Sequence, residues 1–301
     1  MSSRSARRRT LRSASALTLA VGTALVAPLF LAGTAGAATA PATAALDSGG
    51  QEVVYTAAAG QANKVVVTAT RVTGTAKITY VIDDVVTIKA GAGCAYASAS
   101  DHTKVSCTVT TLDSQDPYPT LQLTLGNGND TLAYHNRTDQ TYNFASVDLG
   151  AGDDKATDDG SVDGNYIAGG TGNDTLTLGK YSVGWGDDGN DTLKAAAGTI
   201  AQGGNGNDTI TTTGDAADGG AGNDVITGGA VAQSLTGGAG NDKIHGGAGN
   251  DFIYGGTGND TLWGDAGADT IYGNSGNDTL WGGAGTDVLS GGPGHNAVHQ
   301  N

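Results

Sequence analysis

Twelve aspartates and two cysteines carry most of the chemistry legible in this chain. Asp242, Asp251, Asp260, Asp269, Asp278 and Asp287 recur at nine-residue intervals from Gly237 to Ser290, in the units GGAGNDKIH, GGAGNDFIY, GGTGNDTLW, GDAGADTIY, GNSGNDTLW and GGAGTDVLS. Each unit has Gly first and fourth, Asp sixth, and Ile or Leu eighth. A seventh unit, Gly291 to His299, keeps the glycines and replaces Asp with Asn296. A short carboxylate is a hard oxygen donor, and calcium takes six to eight ligands of this type. The glycines let the backbone take positive φ and bring carbonyl oxygens close to an ion. Gly, Asn and Asp also make turns that need no metal. Carboxylates stacked at strand spacing repel one another, however, so the pattern favours a bound cation over turn chemistry alone.

The elements that must position these carboxylates follow from the end of each unit, which reads x-apolar-x. In a strand the middle side chain points one way and its neighbours the other. Ile244, Ile253, Leu262, Ile271, Leu280 and Leu289 are therefore expected to point inward and form a thin core. Two units make one turn of loop, strand, loop, strand, and units eighteen residues apart stack at roughly 4.8 Å. Asp242, Asp260 and Asp278 then share one edge, and Asp251, Asp269 and Asp287 the other. Upstream the motif is diluted: Asp130, Asp154, Asp174, Asp191, Asp208 and Asp224 sit in related Gly-rich loops. From Asp174 the steps are 17, 17, 16 and 18 residues, or one good loop per turn, with Lys180 to Gly184 and Thr212 to Asp218 on the weak side. The steps of 24 and 20 residues ahead of Asp174 make Asp130 and Asp154 the less secure ligands.

On these motifs the chain resembles the repeats-in-toxin (RTX), or haemolysin-type, calcium-binding family over roughly residues 125–299. The resemblance implies an all-β fold, a parallel β-roll or β-helix solenoid. It also implies calcium between stacked loops, held by carboxylates of two successive turns and by loop carbonyls. One apolar residue per nonapeptide gives little burial, and each ordered glycine costs conformational entropy. The repeat block is therefore expected to be largely disordered without calcium. At the 10⁻⁴–10⁻³ M affinities common in extracellular modules, the sites would fill only after export.

The rest of the chain suits that setting. Residues 1–37 read as a secretory signal peptide: a basic segment ending at Arg12, an apolar stretch from Ala14 to Leu31, and Ala35-Gly36-Ala37 as cleavage site. Cleavage removes five arginines and takes the net charge from −15 to −20. Such a chain has no electrostatic basis for binding nucleic acid, and after cleavage it has no membrane span. Residues 46–125 form β-rich runs, including Val53 to Tyr55, Lys64 to Val67, Ala76 to Tyr80, Val85 to Ile88, Lys104 to Cys107 and Leu121 to Leu123. They suit an N-terminal cap, which repeat arrays need; a small separate β-sandwich is the alternative. Residues 126–236 are then degenerate repeats and 237–299 the regular roll. Cys94 and Cys107, the only cysteines, are expected to form one disulfide in an exported chain.

Catalysis finds little footing. There is no G-x-S-x-G elbow, no H-E-x-x-H and no Walker loop, and the five histidines are scattered. The ninth position of each unit places His245, Trp263 and Trp281 in one outward column and Tyr254, Tyr272 and Ser290 in another. Stacking within the sheet accounts for such columns. The alternative is a calcium-dependent adhesin or matrix protein that binds glycan or a cell-surface protein through this aromatic strip.

Overall fold

The computed structural model describes residues 40–112, 117–139, 143–160 and 164–300. The expected signal peptide and its cleavage site lie outside them. Thr39–Asn301 is one compact unit. Among the described residues there are only strands, in two sheets of 13 and 14 that stack coil upon coil. The chain is an all-β parallel solenoid and matches the β-roll.

The first strands are β1 (Ala42–Leu46), β2 (Val53–Thr56), β3 (Lys64–Arg71), β4 (Lys77–Asp83), β5 (Ile88–Ala90), β6 (Cys94–Ser98) and β7 (Asp101–Thr110). Here β1 and β2, β3 and β4, β4 and β7, and β6 and β7 pair antiparallel. With β8 (Tyr118–Thr124) and β9 (Thr131–Arg137) the pattern changes. β2 pairs parallel with β8, and β3 parallel with β9, so this region begins both sheets of the solenoid. All later pairs are parallel. The run Val85 to Ile88 departs from expectation, since only Ile88 lies in a strand. The Asp84 carboxylate accepts the N–H groups of Val85 at 2.7 Å and Lys64 at 2.9 Å, which bends the chain before pairing can begin. Cys94 and Cys107 face each other across β6 and β7 and form the disulfide.

Register follows the repeat. Ile244 pairs with Leu262 and Leu262 with Leu280 in one sheet, and Ile253 with Ile271 in the other. All five are fully buried. Leu289, also expected inside, is only partly buried: it belongs to the last strand of its sheet, with no further coil to cover it. The eighteen-residue step starts upstream of Gly237, because Ala216–Ala221 pairs with Ser234–Ala239 at that spacing. Residues 228–236, GGAVAQSLT, are thus a full nonapeptide without the fourth Gly or the sixth Asp.

Candidate metal centre

One loop shows how the site is built. In Gly237 to Asp242, Gly238 (φ 110°) and Gly240 (φ 137°) have left-handed backbone. A Cβ on either would collide with a carbonyl oxygen of the coil before, at 2.0 and 1.7 Å. Glycine therefore sets how closely the loops stack. Gly237 has a different task. A Cβ there would meet Asp242 Oδ2 at 2.3 Å and the Gly255 carbonyl oxygen of the next coil at 2.6 Å. Two oxygens from successive coils converge on the space that the missing side chain leaves.

The carboxylates stack by a regular rule in which each Oδ1 accepts the N–H of the aspartate one coil earlier. The first edge runs unbroken. Asp130 N–H donates to Asp154 at 2.6 Å, and the pattern continues through Asp174, Asp191, Asp208, Asp224, Asp242 and Asp260 to Asp278. Asn63 N–H donates to Asp130 at its head, and Asn296 Oδ1 accepts from Asp278 at its foot. On the second edge the ladder runs only through Asp251, Asp269 and Asp287, headed by Gln233; Asp215, one coil above Gln233, is exposed and outside it. The structure thus brings the twelve aspartates into two columns, and Asp130 and Asp154 join theirs despite the longer steps.

The second carboxylate oxygen tells the rest. In all twelve aspartates Oδ2 is buried and has no hydrogen-bond partner. An unpaired buried acceptor is costly, and a buried unpaired charge more so. Burial pushes the carboxyls of Asp174 and Asp242 up to about 7 and those of Asp130, Asp208, Asp251 and Asp260 up to about 6, with neighbouring carboxylates adding to the effect. Asp154, Asp191, Asp224 and Asp269 are raised by the same cause. Backbone N–H donors oppose the shift and do not overcome it. Among the described residues no three acidic, histidine or cysteine side chains converge on one point. A cation between coils therefore needs loop carbonyls to complete its shell, which is the donor set the Gly237 loop presents.

The RTX calcium-binding nonapeptide repeat family, in four copies, matches residues 159–180, 185–199, 211–230, 232–262 and 263–298. The chain carries an RTX calcium-binding repeat array. No curated protein matches it. The RTX repeats are calcium-binding, and the hard, oxygen-only donors with orphaned Oδ2 atoms fit that ion.

Several features of the RTX array escape a reading of the motif alone. Where Asn precedes the Asp it forms a ladder running the opposite way: Asn190, Asn207 and Asn223 N–H groups each donate to the Asn Oδ1 one coil earlier, at 2.9, 2.7 and 2.7 Å. Asp84 anchors the column head. It accepts Tyr55 Oη–H at 2.5 Å and Asn63 Nδ2–H at 2.6 Å. Asp187, Asp265 and Asn274 stand at the second-glycine position with φ of 72°, 68° and 68°, a conformation Asn and Asp tolerate. The aromatic column stacks as expected and is longer by one ring. His245, Trp263, Trp281 and His299 lie 4.2, 5.1 and 5.3 Å apart, and Tyr254 and Tyr272 lie 5.4 Å apart on the other sheet.

Proposed function

We propose that this is an exported calcium-binding β-roll whose coils fold when they meet extracellular calcium, with Asp130 through Asp278 on one edge and Asp251, Asp269 and Asp287 on the other as ligands. The observation that carries the reading is the set of twelve buried, partnerless Oδ2 atoms, ten of which, from Asp174 onward, converge with a carbonyl of the next coil on a first-position glycine; Leu125 and Leu149 hold that position in the units of Asp130 and Asp154. In this reading the chain's own atoms fix one carboxylate oxygen with a backbone N–H and leave the other for the ion. Calcium supplies the positive charge that lets successive carboxylates share an edge.

Export is supported by the leader-like residues 1–37 and by the disulfide. Among the described residues no helix is long and apolar enough to cross a membrane. Residues 46–125 act as the cap: β2 and β3 supply the first strands against which the coils stack. The role is structural and metal-binding rather than catalytic. The aromatic column needs no glycan or matrix partner, since its rings stack on one another. Calcium titration calorimetry on the chain lacking residues 1–37, with parallel circular dichroism, tests the reading. Calcium uptake with a gain of β signal is expected. An unchanged β spectrum in chelator would count against folding on calcium, and no uptake at millimolar calcium against the site itself.

A further inference from the structure

We propose that Gln233 and Asn296 are built-in replacements for a calcium ion, and that they set where the carboxylate columns stop. This rests on the calcium reading of the array. Both residues occupy the sixth position of a nonapeptide and directly precede or follow a run of aspartates in the stacking order. Gln233 donates its own N–H to Asp251 Oδ1 at 2.8 Å, as an aspartate would.

The loops are alike and differ in how the inner acceptors are satisfied. A Cβ on Gly246 would meet Asp251 Oδ2 at 2.7 Å and the Gly264 carbonyl at 2.8 Å. A Cβ on Gly228 would meet Gln233 Oε1 at 2.5 Å and the Gly246 carbonyl at 2.1 Å. The Gln oxygen thus takes the place of the Asp oxygen. Unlike Asp251 Oδ2, it has a donor, the Gly229 N–H at 2.6 Å. Nε2 then donates to the Gly214 carbonyl at 2.7 Å, reaching into the coil before. Gln233 is 3% exposed, so these bonds are made away from water. One neutral amide provides an acceptor and a donor where carboxylate plus cation would stand.

At the foot of the first edge Asn296 also uses both ends of a neutral amide, with the roles reversed and its donor bond exposed. Its Oδ1 accepts Asp278 N–H at 2.7 Å, and its Nδ2 donates to the Gly292 carbonyl of its own loop at 2.9 Å. Asn63, at the head of the same edge, is a contrast. Its Nδ2 is turned to Asp84 and its buried Oδ1 has no partner, so it does not close the column in this way. The Gln233 loop has a second departure: Val231 stands where the other units have the fourth Gly.

The test is the number of calcium ions bound per chain, by equilibrium dialysis and elemental analysis, in the parent, in Val231→Gly/Gln233→Asp, and in Asn296→Asp. Each variant is expected to bind one more calcium than the parent. At a calcium level that just folds the parent, each is expected to melt below the parent, having lost an internal donor and gained an unneutralised carboxylate. Gln233→Leu is expected to lower the melting temperature equally at that level and in saturating calcium. Variants that fold in calcium and bind the parent's number overturn the proposal. So does a Gln233→Leu loss that calcium repairs. A parent that binds no calcium overturns the underlying reading, and it is measured separately.

Discussion

The two edges of this solenoid are made by the same chain at the same coil spacing, yet they are held differently. On the first edge nine aspartates follow one another from Asp130 to Asp278, each with one oxygen on a backbone N–H and the other open. On the second edge, above Asp251, the same places hold Asn165, Ser182, Thr199, an exposed Asp215 and Gln233. Asn165 Oδ1 accepts Ala145 N–H, and Ser182 Oγ accepts Asn165 N–H at 3.2 Å and donates to Asp158 at 3.0 Å. Thr199 Oγ1 donates to the Gly179 carbonyl at 2.9 Å. The lesson is that a stacked loop can be closed by side-chain hydrogen bonds, and in the proposed reading by an ion, with one turn using both. In that reading closure by hydrogen bonds works without calcium, and ionic closure makes folding conditional on it.

The largest break in this comparison comes from chelation. Removing calcium is expected to dissolve most of the coil's β signal. Hydrogen exchange resolved along the chain should show protection falling most around Gly237 to Ser290, where both edges carry aspartates. Next comes a single-residue contrast at neighbouring coils. Asp208→Ala removes a carboxylate from the first edge. A site occupied at 10 to 100 times its Kd contributes ~1.4–2.7 kcal/mol, so a loss of that size in saturating calcium, and a smaller one at low calcium, is expected in melting experiments. Ser182→Ala should cost ~1 kcal/mol in both conditions and leave the calcium count unchanged.

Reducing the disulfide tests the cap against the coils. The bond closes a loop of sequence separation 13, and a loop of that size is worth ~3 kcal/mol. Cys94→Ser/Cys107→Ser should therefore melt earlier while calcium uptake per folded chain stays the same.

Acid should act in opposite directions on the two states. Burial holds the carboxyls of Asp174 and Asp242 up at about 7 in the fold, above the usual carboxylate value of 3.8. The metal-free fold therefore binds protons more tightly than the unfolded chain does. It carries the full penalty above about pH 7 and sheds it as pH falls toward 4. The calcium form needs the ionised carboxylates, so it weakens over the same interval. Between about pH 8 and 5, acidification should raise the residual β signal in chelator and lower the melting temperature in calcium. The smallest effect belongs to the aromatic column. Trp263→Thr removes stacking on His245 and Trp281, worth ~0.2–1 kcal/mol per pair, with calcium affinity unchanged.

The regular roll was legible because its period is strict. Ile244 and Leu262 repeat at eighteen residues, and the same spacing that puts them inside puts Asp242 over Asp260. Asp130 and Asp154 were legible as motifs but not as column members. The longer strands Thr131–Arg137 and Asn143–Ala151 absorb part of the 24-residue step away from the first edge. What stayed hidden depends on pairing between distant residues. Nothing near Asn63 announces that it will meet Asp130, 67 positions on. Gln233 hides for another reason: its unit has lost two of the marks by which the repeat is recognised, though Gly228, Gly229 and Leu235 keep the frame.

The central claim is that calcium lies along the first edge and, on the second, only beside Asp251, Asp269 and Asp287. Anomalous diffraction from crystals grown in calcium tests it most directly. The account predicts a row of peaks between successive aspartates from Asp130 to Asp278, a short row at Asp251 to Asp287, and none between Asn165 and Gln233. Peaks along that stretch, or an absence of peaks between the stacked aspartates, would contradict it.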